Sequence, residues 1–214
     1  MTDGSTGSRG RRPTAALAAL VLAVAGLLAA WQGLRPDRPG GGGPEAGFAR
    51  DMSVHHAQAV RMSFLVRDGS EDERVRLLAY DVINTQSAQI GMMTAWLDEW
   101  GAPKADPAGR MRWMAGHGGH GGGRAGSGGG AAAMPGMATR DQLARLEKAS
   151  GRDAEVRYLQ LMIAHHRGGV AMAEAVLART DHPRVRRLAR TMVDGQRSEI
   201  TLMTDMLRER GIRA

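Results

Sequence analysis

The sequence contains no cysteine among its 214 residues. That absence excludes disulfide bonds, thiolate zinc sites, iron–sulfur clusters, covalent c-type haem attachment and an N-terminal lipidated cysteine. Aromatic residues make up only 4% of the chain, whereas 43% of it is hydrophobic, so a core has to be built from Leu, Ala, Val, Ile and Met. Any soft metal ligand must therefore be a Met thioether or a His imidazole.

Sequence motifs of several enzyme classes are missing as well. The chain has no Gly-x-Ser-x-Gly or His-Glu-x-x-His sequence, which excludes two common kinds of hydrolase site. It also has no Glu-x-x-His sequence, the pair of ligands that di-iron bundles place on two of their helices. We therefore predict that the protein is not an enzyme, and an iron-type redox enzyme is specifically disfavoured.

Positive charge is plentiful but dispersed. The formal net charge is +7 and the isoelectric point is about 11.0, a balance that often accompanies binding to nucleic acid or to anionic membranes. Here the arginines are spread among Asp and Glu, and no Lys/Arg block is interleaved with aromatic residues. We therefore predict no nucleic-acid partner. Attraction of a solvated basic surface to acidic lipids is a secondary interpretation.

One long uncharged run lies near the N-terminus. Residues 1–14 are polar and include three arginines, and Ala15–Trp31 carries no charge. A helix of that length rises about 26 Å, and Gln32–Leu34 extend it toward a full bilayer span. We predict a signal anchor over residues 15–34: a single-pass transmembrane helix in the cell membrane, with residues 1–14 in the cytoplasm and the rest of the chain outside.

Cleavage of the same run as a signal peptide is the competing interpretation. The small-residue motif for cleavage would be Ala23-Val24-Ala25, which lies in the middle of the apolar run and leaves only a short hydrophobic region before it. Cleavage would give a secreted protein, and both alternatives place the remaining chain outside the cytoplasm. Residues 35–45 are rich in Pro and Gly and are predicted to be a flexible tether.

An internal duplication occupies the rest of the chain. Residues 48–66 align with 158–176, and 75–101 align with 185–211, both at an offset of 110 and without gaps. A constant offset over two blocks indicates that a helix–turn–helix unit has been duplicated. The repeated positions include Met52 and Met162, His55 and His165, His56 and His166, Met62 and Met172, Gln86 and Gln196, and Gly101 and Gly211.

Hydrophobic periodicity predicts two helices in each unit. Val75 and the apolar residues after it recur at steps of three and four, the pattern of a helix face in a bundle. We predict an all-α protein whose domain at 46–212 is a four-helix bundle of two duplicated hairpins. Thr139 and Gln142 form a plausible capping box for an additional short helix. The predicted segments are a first hairpin at 46–101, a flexible Gly-rich Met/His linker at 102–137, a short helix at 138–150 and a second hairpin at 153–212.

The most distinctive motif is a methionine followed by two adjacent histidines, and it occurs in both units. In Met52-Ser53-Val54-His55-His56 the methionine precedes the histidines by three and four residues, so all three share one broad helix face. Adjacent histidines diverge by about 100°, so one can face the bundle axis while the other faces a neighbouring helix. Met62 lies about 10 Å from His55 along the helix axis. It therefore belongs to a second layer rather than to the same site. The predicted metal ligands are His55, His56, His165, His166, Met52, Met162, Met62 and Met172.

Thioether and imidazole ligands together favour copper, as Cu(I) or Cu(II), over the hard cations. The alternative is that methionines at helical spacing fill the core and that the histidines are structural. Gln86 and Gln196, on the inward stripes of the partner helices, are predicted either to orient the imidazoles or to be satisfied buried amides.

The linker holds a second set of soft ligands in a Gly-rich segment where sequence predicts no core to fill. These residues are Met111, Met114, His117, His120, Met134 and Met137. They are predicted to bind copper weakly and to exchange it fast. An inert low-complexity spacer is the alternative.

The doubled pattern resembles a bacterial family, the domain of unknown function 305. Its Met-x-x-His-His run and later Gln-x-x-Glu-Ile-x-x-Met helix match both halves, except that Gln89 replaces the usual Glu in the first half. The resemblance covers about residues 46–212 and implies a ferritin-like four-helix fold in an exported protein. Some members resemble periplasmic copper-binding and copper-tolerance proteins, which implies copper sequestration or transfer here. The alternative is a non-catalytic structural or interaction bundle.

Overall fold

The computed structural model describes residues 20–27, 39–106, 109–114 and 134–213. Over these ranges every regular element is helical, so the prediction of an all-α protein is confirmed for them. A 3₁₀ turn lies at Arg112–Met114. The five α-helices of the main domain are α1 Pro44–Gly69, α2 Glu73–Trp100, α3 Arg140–Lys148, α4 Gly151–Leu177 and α5 Pro183–Glu209.

The chain divides into two compact units, Met1–Arg38 and Pro39–Ala214. In the first unit the described stretch, residues 20–27, is helical. Among the helices that the structure describes, none has both the length and the apolar composition needed to cross a bilayer. The predicted cytoplasmic tail at 1–14 and most of the predicted anchor at 15–34 lie outside the described residues, so the anchor stays a prediction.

Local sequence signals set the helix ends. Asp72 accepts two backbone N–H groups at the start of α2, and Gly101 ends that helix with a left-handed φ of 64°. The predicted capping box of Thr139 and Gln142 is confirmed at the start of α3. Pro183 occupies the first turn of α5, where its missing N–H costs nothing.

The predicted tether at 35–45 is wrong at its C-terminal end. Helix α1 begins at Pro44, with Gly43 as its N-cap residue. A proline in the first turn of a helix needs no hydrogen-bond donor, and its fixed φ already suits the helix. The Gly-Pro sequence that signals a loop therefore also starts α1, two residues before the predicted start of the first hairpin at residue 46.

Two hydrophobic clusters form the core of the second unit. Helix α1 packs on α2, α4 packs on α5, and α1 packs on α4. One cluster joins the start of α1 and the end of α2 to the end of α4 and the start of α5. The other joins the complementary halves of the same helices and includes Leu143 and Leu146 of α3. In each cluster, one end of the first hairpin therefore packs against the opposite end of the second. This is the arrangement expected of two hairpins related by a pseudo-twofold axis.

The predicted absence of packing in the linker at 102–137 is wrong at both ends. Met111 and Met134 are buried in the first cluster. The Trp113 indole meets the Phe48 ring edge-on at 5.9 Å and donates to Asp51 Oδ2 at 2.9 Å. Gly47 makes room for it, because a Cβ there would lie 2.5 Å from Trp113 Cδ1. The structure does not describe His117 and His120, which lie within 115–133.

Candidate metal centre

Two of the four predicted histidines meet where α1 crosses α4. The rings of His55 and His165 stack with their centroids 3.7 Å apart and their planes 32° from parallel. Both side chains are buried. Because the two residues are equivalent under the repeat, their contact places them on the pseudo-twofold axis of the domain.

The other two histidines point away from the crossing. The centroid of the His56 ring lies 6.4 Å from that of His55, and His166 stands at the same distance from His165. His56 Nε2 contacts Gln89 Oε1 of α2 at 2.7 Å, and His166 Nε2 contacts Glu199 Oε2 of α5 at 2.5 Å. This is the division that the angle of about 100° between adjacent helical residues predicts.

In three of the four rings, one nitrogen makes a hydrogen bond and the other makes none with the described residues. Each acceptor is an oxygen, so each Nε2 carries the proton and donates: His55 to Pro135 O at 3.0 Å, His56 to Gln89 and His166 to Glu199. The Nδ1 atoms of these rings, and Nε2 of His165, are buried without a hydrogen-bond partner among the described residues. Four imidazoles thus keep a nitrogen unused, in an interior where such atoms are normally paired.

Burial keeps three of these rings neutral. Desolvation lowers the pKa of His55 to about 4, partly opposed by its bond to Pro135. Desolvation and then repulsion from His55 lower the pKa of His56 to about 3. The pKa of His165 is also far below its ordinary value, again mainly through burial. A neutral imidazole is the form that binds metals, so no proton has to leave these rings near pH 7.

The four predicted methionine ligands are fully buried on either side of the histidine layer. Met52 and Met172 belong to the first core cluster, and Met62 and Met162 to the second. Met52 and Met62 therefore lie in different layers of the core. The linker methionines reach the same core, since Met134 is buried in the first cluster and Met114 and Met137 pack against it.

A short segment covers the histidine crossing, and we call residues 134–138 the strap. Pro135 O accepts the His55 proton, and Gln58 makes two hydrogen bonds to the backbone of Ala138, at 2.9 and 2.7 Å. The strap lies directly on α4 because Gly168 has no side chain. A Cβ on Gly168 would overlap Pro135 O and C and stand 2.9 Å from Gly136 N.

On the α2–α5 side, a small cavity of about 40 Å³ lies next to the hydrogen-bond partners of the other two histidines. Gln89 and Glu199 line it, and these residues are the hydrogen-bond partners of His56 and His166. Gln86 and Gln196 line it too, and their Oε1 atoms are buried without a partner. Gln89 and Glu199 therefore orient the two outer imidazoles, His56 and His166. The predicted orienting role of Gln86 and Gln196 is wrong, and their Oε1 atoms are not satisfied by any described residue.

The donor set suits a soft cation, although it is not gathered into a ready-made site. Within the part of the chain that the structure describes, no three His, Asp or Glu side chains are grouped closely enough to hold a metal ion. The unused imidazole nitrogens and the buried thioethers are nevertheless the ligand types that copper prefers. Three of the rings also donate their second nitrogen to a carbonyl, amide or carboxylate oxygen, as metal-binding histidines generally do.

Comparison with known proteins identifies the family. A family model described as "Domain of unknown function (DUF305)" matches residues 45–207. The chain belongs to the DUF305 family. A DUF305 protein of Streptomyces coelicolor, predicted to be secreted, is 49% identical, with a TM-score of 0.71 over 80% of this chain and 96% of that one. A DUF305 fragment from Deinococcus radiodurans is 33% identical, with a TM-score of 0.61 over 78% of this chain and 96% of the fragment.

A third DUF305-like fold is that of CopM, solved in a Cu(I)-bound form. It is 22% identical to this chain, with a TM-score of 0.57 over 77% of this chain and 96% of CopM. At that identity the similarity shows the fold alone. No curated protein matches the chain significantly.

Proposed function

We propose that this DUF305 protein binds copper outside the cytoplasm and sequesters or transfers it without catalysing a reaction. The observation that carries the proposal is the set of four buried imidazoles, each with one ring nitrogen that has no hydrogen-bond partner in the described part of the chain. An unpaired polar atom in a protein interior costs free energy of about 1–3 kcal/mol, so four of them in one layer need a compensating role. A metal ion would use these lone pairs.

The chemistry of the neighbouring side chains favours copper among the metals. Imidazole suits several transition metals, whereas a thioether selects the softer ones, Cu(I) above all. Met52, Met62, Met162 and Met172 bring four fully buried thioethers to the two sides of the histidine layer. Bound there, copper would be held by His55, His56, His165 and His166 with methionine support. The linker residues His117, His120, Met134 and Met137 are secondary candidates.

The solved relatives are consistent with this proposal. CopM has been solved in Cu(I)-bound, Cu(II)-bound and Ag-bound forms. Since the likeness between CopM and this chain is one of fold, the argument for copper rests on the donor set of this chain.

The location proposed for the protein follows from its N-terminal run. The uncharged residues 15–34 and the arginines before them favour a single-pass anchor with the bundle outside the cytoplasm, and the relative from Streptomyces coelicolor is predicted to be secreted. Fractionation of cells, with N-terminal sequencing of the mature protein, tests the anchor. A soluble extracytoplasmic protein that begins near Gly26 would show that the run is cleaved.

A copper titration tests the function. Residues 39–214, which form one compact unit, would compete with a chromophoric chelator for Cu(I) under reducing conditions and for Cu(II) under oxidising ones. Changing His165 and His166 together to Ala should remove at least about half of the tightly bound copper, because these two rings supply half of the imidazole set. Met93→Leu is the matched control: it is another fully buried core methionine, and the swap conserves volume.

The same titration decides between copper binding and a structural role for the histidines. The close stack of His55 on His165 is what a structural pair at a helix crossing would look like. If the parent binds no copper, or if the double variant binds it as tightly as the parent while remaining helical, the histidines are structural and the bundle is an interaction module.

A further inference from the structure

The histidine layer is closed on one side. There the strap lies on the crossing of α1 and α4, with Pro135 O bonded to His55 and Gly136 against the backbone of Ala164 and His165. All four imidazoles are buried. A metal ion that binds them must therefore pass through some other part of the surface, or the strap must lift.

The cavity between α2 and α5 is connected to the layer through hydrogen-bond partners of the outer rings. Its two direct links to the imidazoles are Gln89 and Glu199. A volume of about 40 Å³ is more than one water molecule needs, so a cation that has lost most of its hydration shell also fits.

Two glutamines with unpaired amide oxygens form part of the cavity wall. Gln86 and Gln196 line the cavity, and their buried Oε1 atoms have no hydrogen-bond partner among the described residues. These two oxygens come from equivalent positions of the repeat, one on each helix. Buried amide oxygens without a donor are stabilised by a nearby positive charge, and the two glutamines that carry them form part of the cavity wall.

The α5 half of the cavity differs from the α2 half in a way that favours a soft metal cation. Glu199 is the single formally charged residue among the described residues that line the cavity, and its side chain is 25% exposed while it bonds the fully buried His166. Its repeat equivalent is the neutral Gln89. The buried thioether of Met192 also lines the cavity, and its repeat equivalent is Val82.

We propose that the α2–α5 cavity is the port through which copper reaches the buried imidazoles, with Glu199 as the residue that receives the ion next to His166. The inference rests on the proposed copper function and adds to it the route by which the ion enters and the order in which the two histidine pairs are loaded. The ion passes from solvent to the carboxylate of Glu199, with Met192 beside the route. It then passes to the imidazoles, and the half of the repeat that contains His166 is loaded first.

Plugging the port tests the proposal on the full chain. Gly195 lines the cavity, and a Cβ on it would meet nothing within 4 Å, so a side chain can start there, and Gly195→Trp is chosen to put an indole at the mouth. Thr85→Trp is a second plug, at the equivalent position of the opposite helix. Gly91→Trp is the matched control, because Gly91 is also an exposed helical glycine with open space around it but is not one of the residues that line the cavity.

The measurement is the rate at which each protein takes Cu(I) from a chromophoric chelator, with the equilibrium affinity measured separately. Each plug should slow association about tenfold and leave the affinity nearly unchanged, since a blocked route slows binding and release alike. Gly91→Trp should behave as the parent. Glu199→Gln should slow association and weaken its dependence on ionic strength, because salt screens the attraction between the carboxylate and the ion.

Two results would overturn the port. Parent rates in both plugged variants, with helicity and affinity intact, would show that copper arrives elsewhere while leaving the copper function standing. Absence of copper binding by the parent would remove the function and the port together. If one plug prevents folding, the other plug decides the question.

Discussion

Replacing Gly168 by Ala should destabilise the domain, although alanine is the better helix former. Gly168 lies inside α4, where glycine costs about 1 kcal/mol relative to alanine. The added methyl group would overlap the carbonyl of Pro135 and stand 2.9 Å from Gly136 N. Both obstacles are backbone atoms, so the strap must move away from α4 as a unit.

The cost of that movement can be built up from its parts. The strap must withdraw by an ångström or more, which breaks the 3.0 Å bond from His55 Nε2 to Pro135 O and leaves a buried donor unpaired, at about 1–3 kcal/mol. Overpacking adds about 1–3 kcal/mol. The helix propensity of alanine returns up to about 1 kcal/mol. We expect Gly168→Ala to lower the free energy of unfolding by about 1–5 kcal/mol.

Urea unfolding of residues 39–214, followed by circular dichroism at pH 7 without metal, measures this loss. Gly91→Ala is the control, because its methyl group points into open space and should raise the free energy of unfolding by about 0.5–1 kcal/mol. A Gly168→Ala protein as stable as Gly91→Ala would refute the close packing of the strap on α4.

Two further changes probe the core. Tyr158→Phe should lower the free energy of unfolding by about 1–2 kcal/mol, because it removes the buried 2.9 Å bond to Ser63 and leaves the Ser63 hydroxyl unpaired. The control Tyr80→Phe, at an exposed position, should change it hardly at all in the same urea titration. Equal effects of the two changes would contradict the reasoning. The metal-free domain should also lose stability in mild acid: the folded-state pKa of His56 is about 3, against 6.5 for an ordinary histidine. The unfolded state therefore takes up the proton first, and stability that is complete above pH 6.5 falls continuously toward pH 3. For His56 alone the loss is about 2 kcal/mol between pH 6.5 and pH 5, and it should shrink in His56→Gln; a flat profile from pH 7 to pH 5 would show that the ring is not held neutral.

Sequence periodicity predicted the helices and the general positions of the histidines because both depend on local geometry. The turn of about 100° between neighbouring helical residues sends His55 to the crossing and His56 to α2, and the repeat does the same for the second pair. Periodicity did not identify the partners of the outer rings. Positions 86 and 89 lie on the same broad face of α2, and the tilt and offset between packed helices decide which of them meets an imidazole.

The strap could not be predicted because it depends on contacts between distant segments. Its signal was present in the two adjacent glycines at 168 and 169, an unusual pair for the middle of a long helix. The repeat has Gln58 and Ala59 at the equivalent positions, so the pair is not a requirement of the helix itself. The burial of Trp113 had a similar hidden signal in Gly47, a glycine inside α1 that makes room for the indole.

The departures from the repeat separate the two sides of the histidine layer. Packing that both hairpins need is repeated, as with Met52 and Met162 or Gln86 and Gln196. On one side of the layer, Gly168 replaces the repeat's Gln58 and admits the strap, and Gln58 then binds the strap at Ala138. On the other side, Glu199 replaces Gln89 and brings a charge to the cavity. The packing of a duplicated core does not require these two substitutions within the repeat, so they are better explained by a difference between the two sides of the layer. On one side the strap closes over the imidazoles. On the other side a partly exposed carboxylate, that of Glu199, bonds to an imidazole.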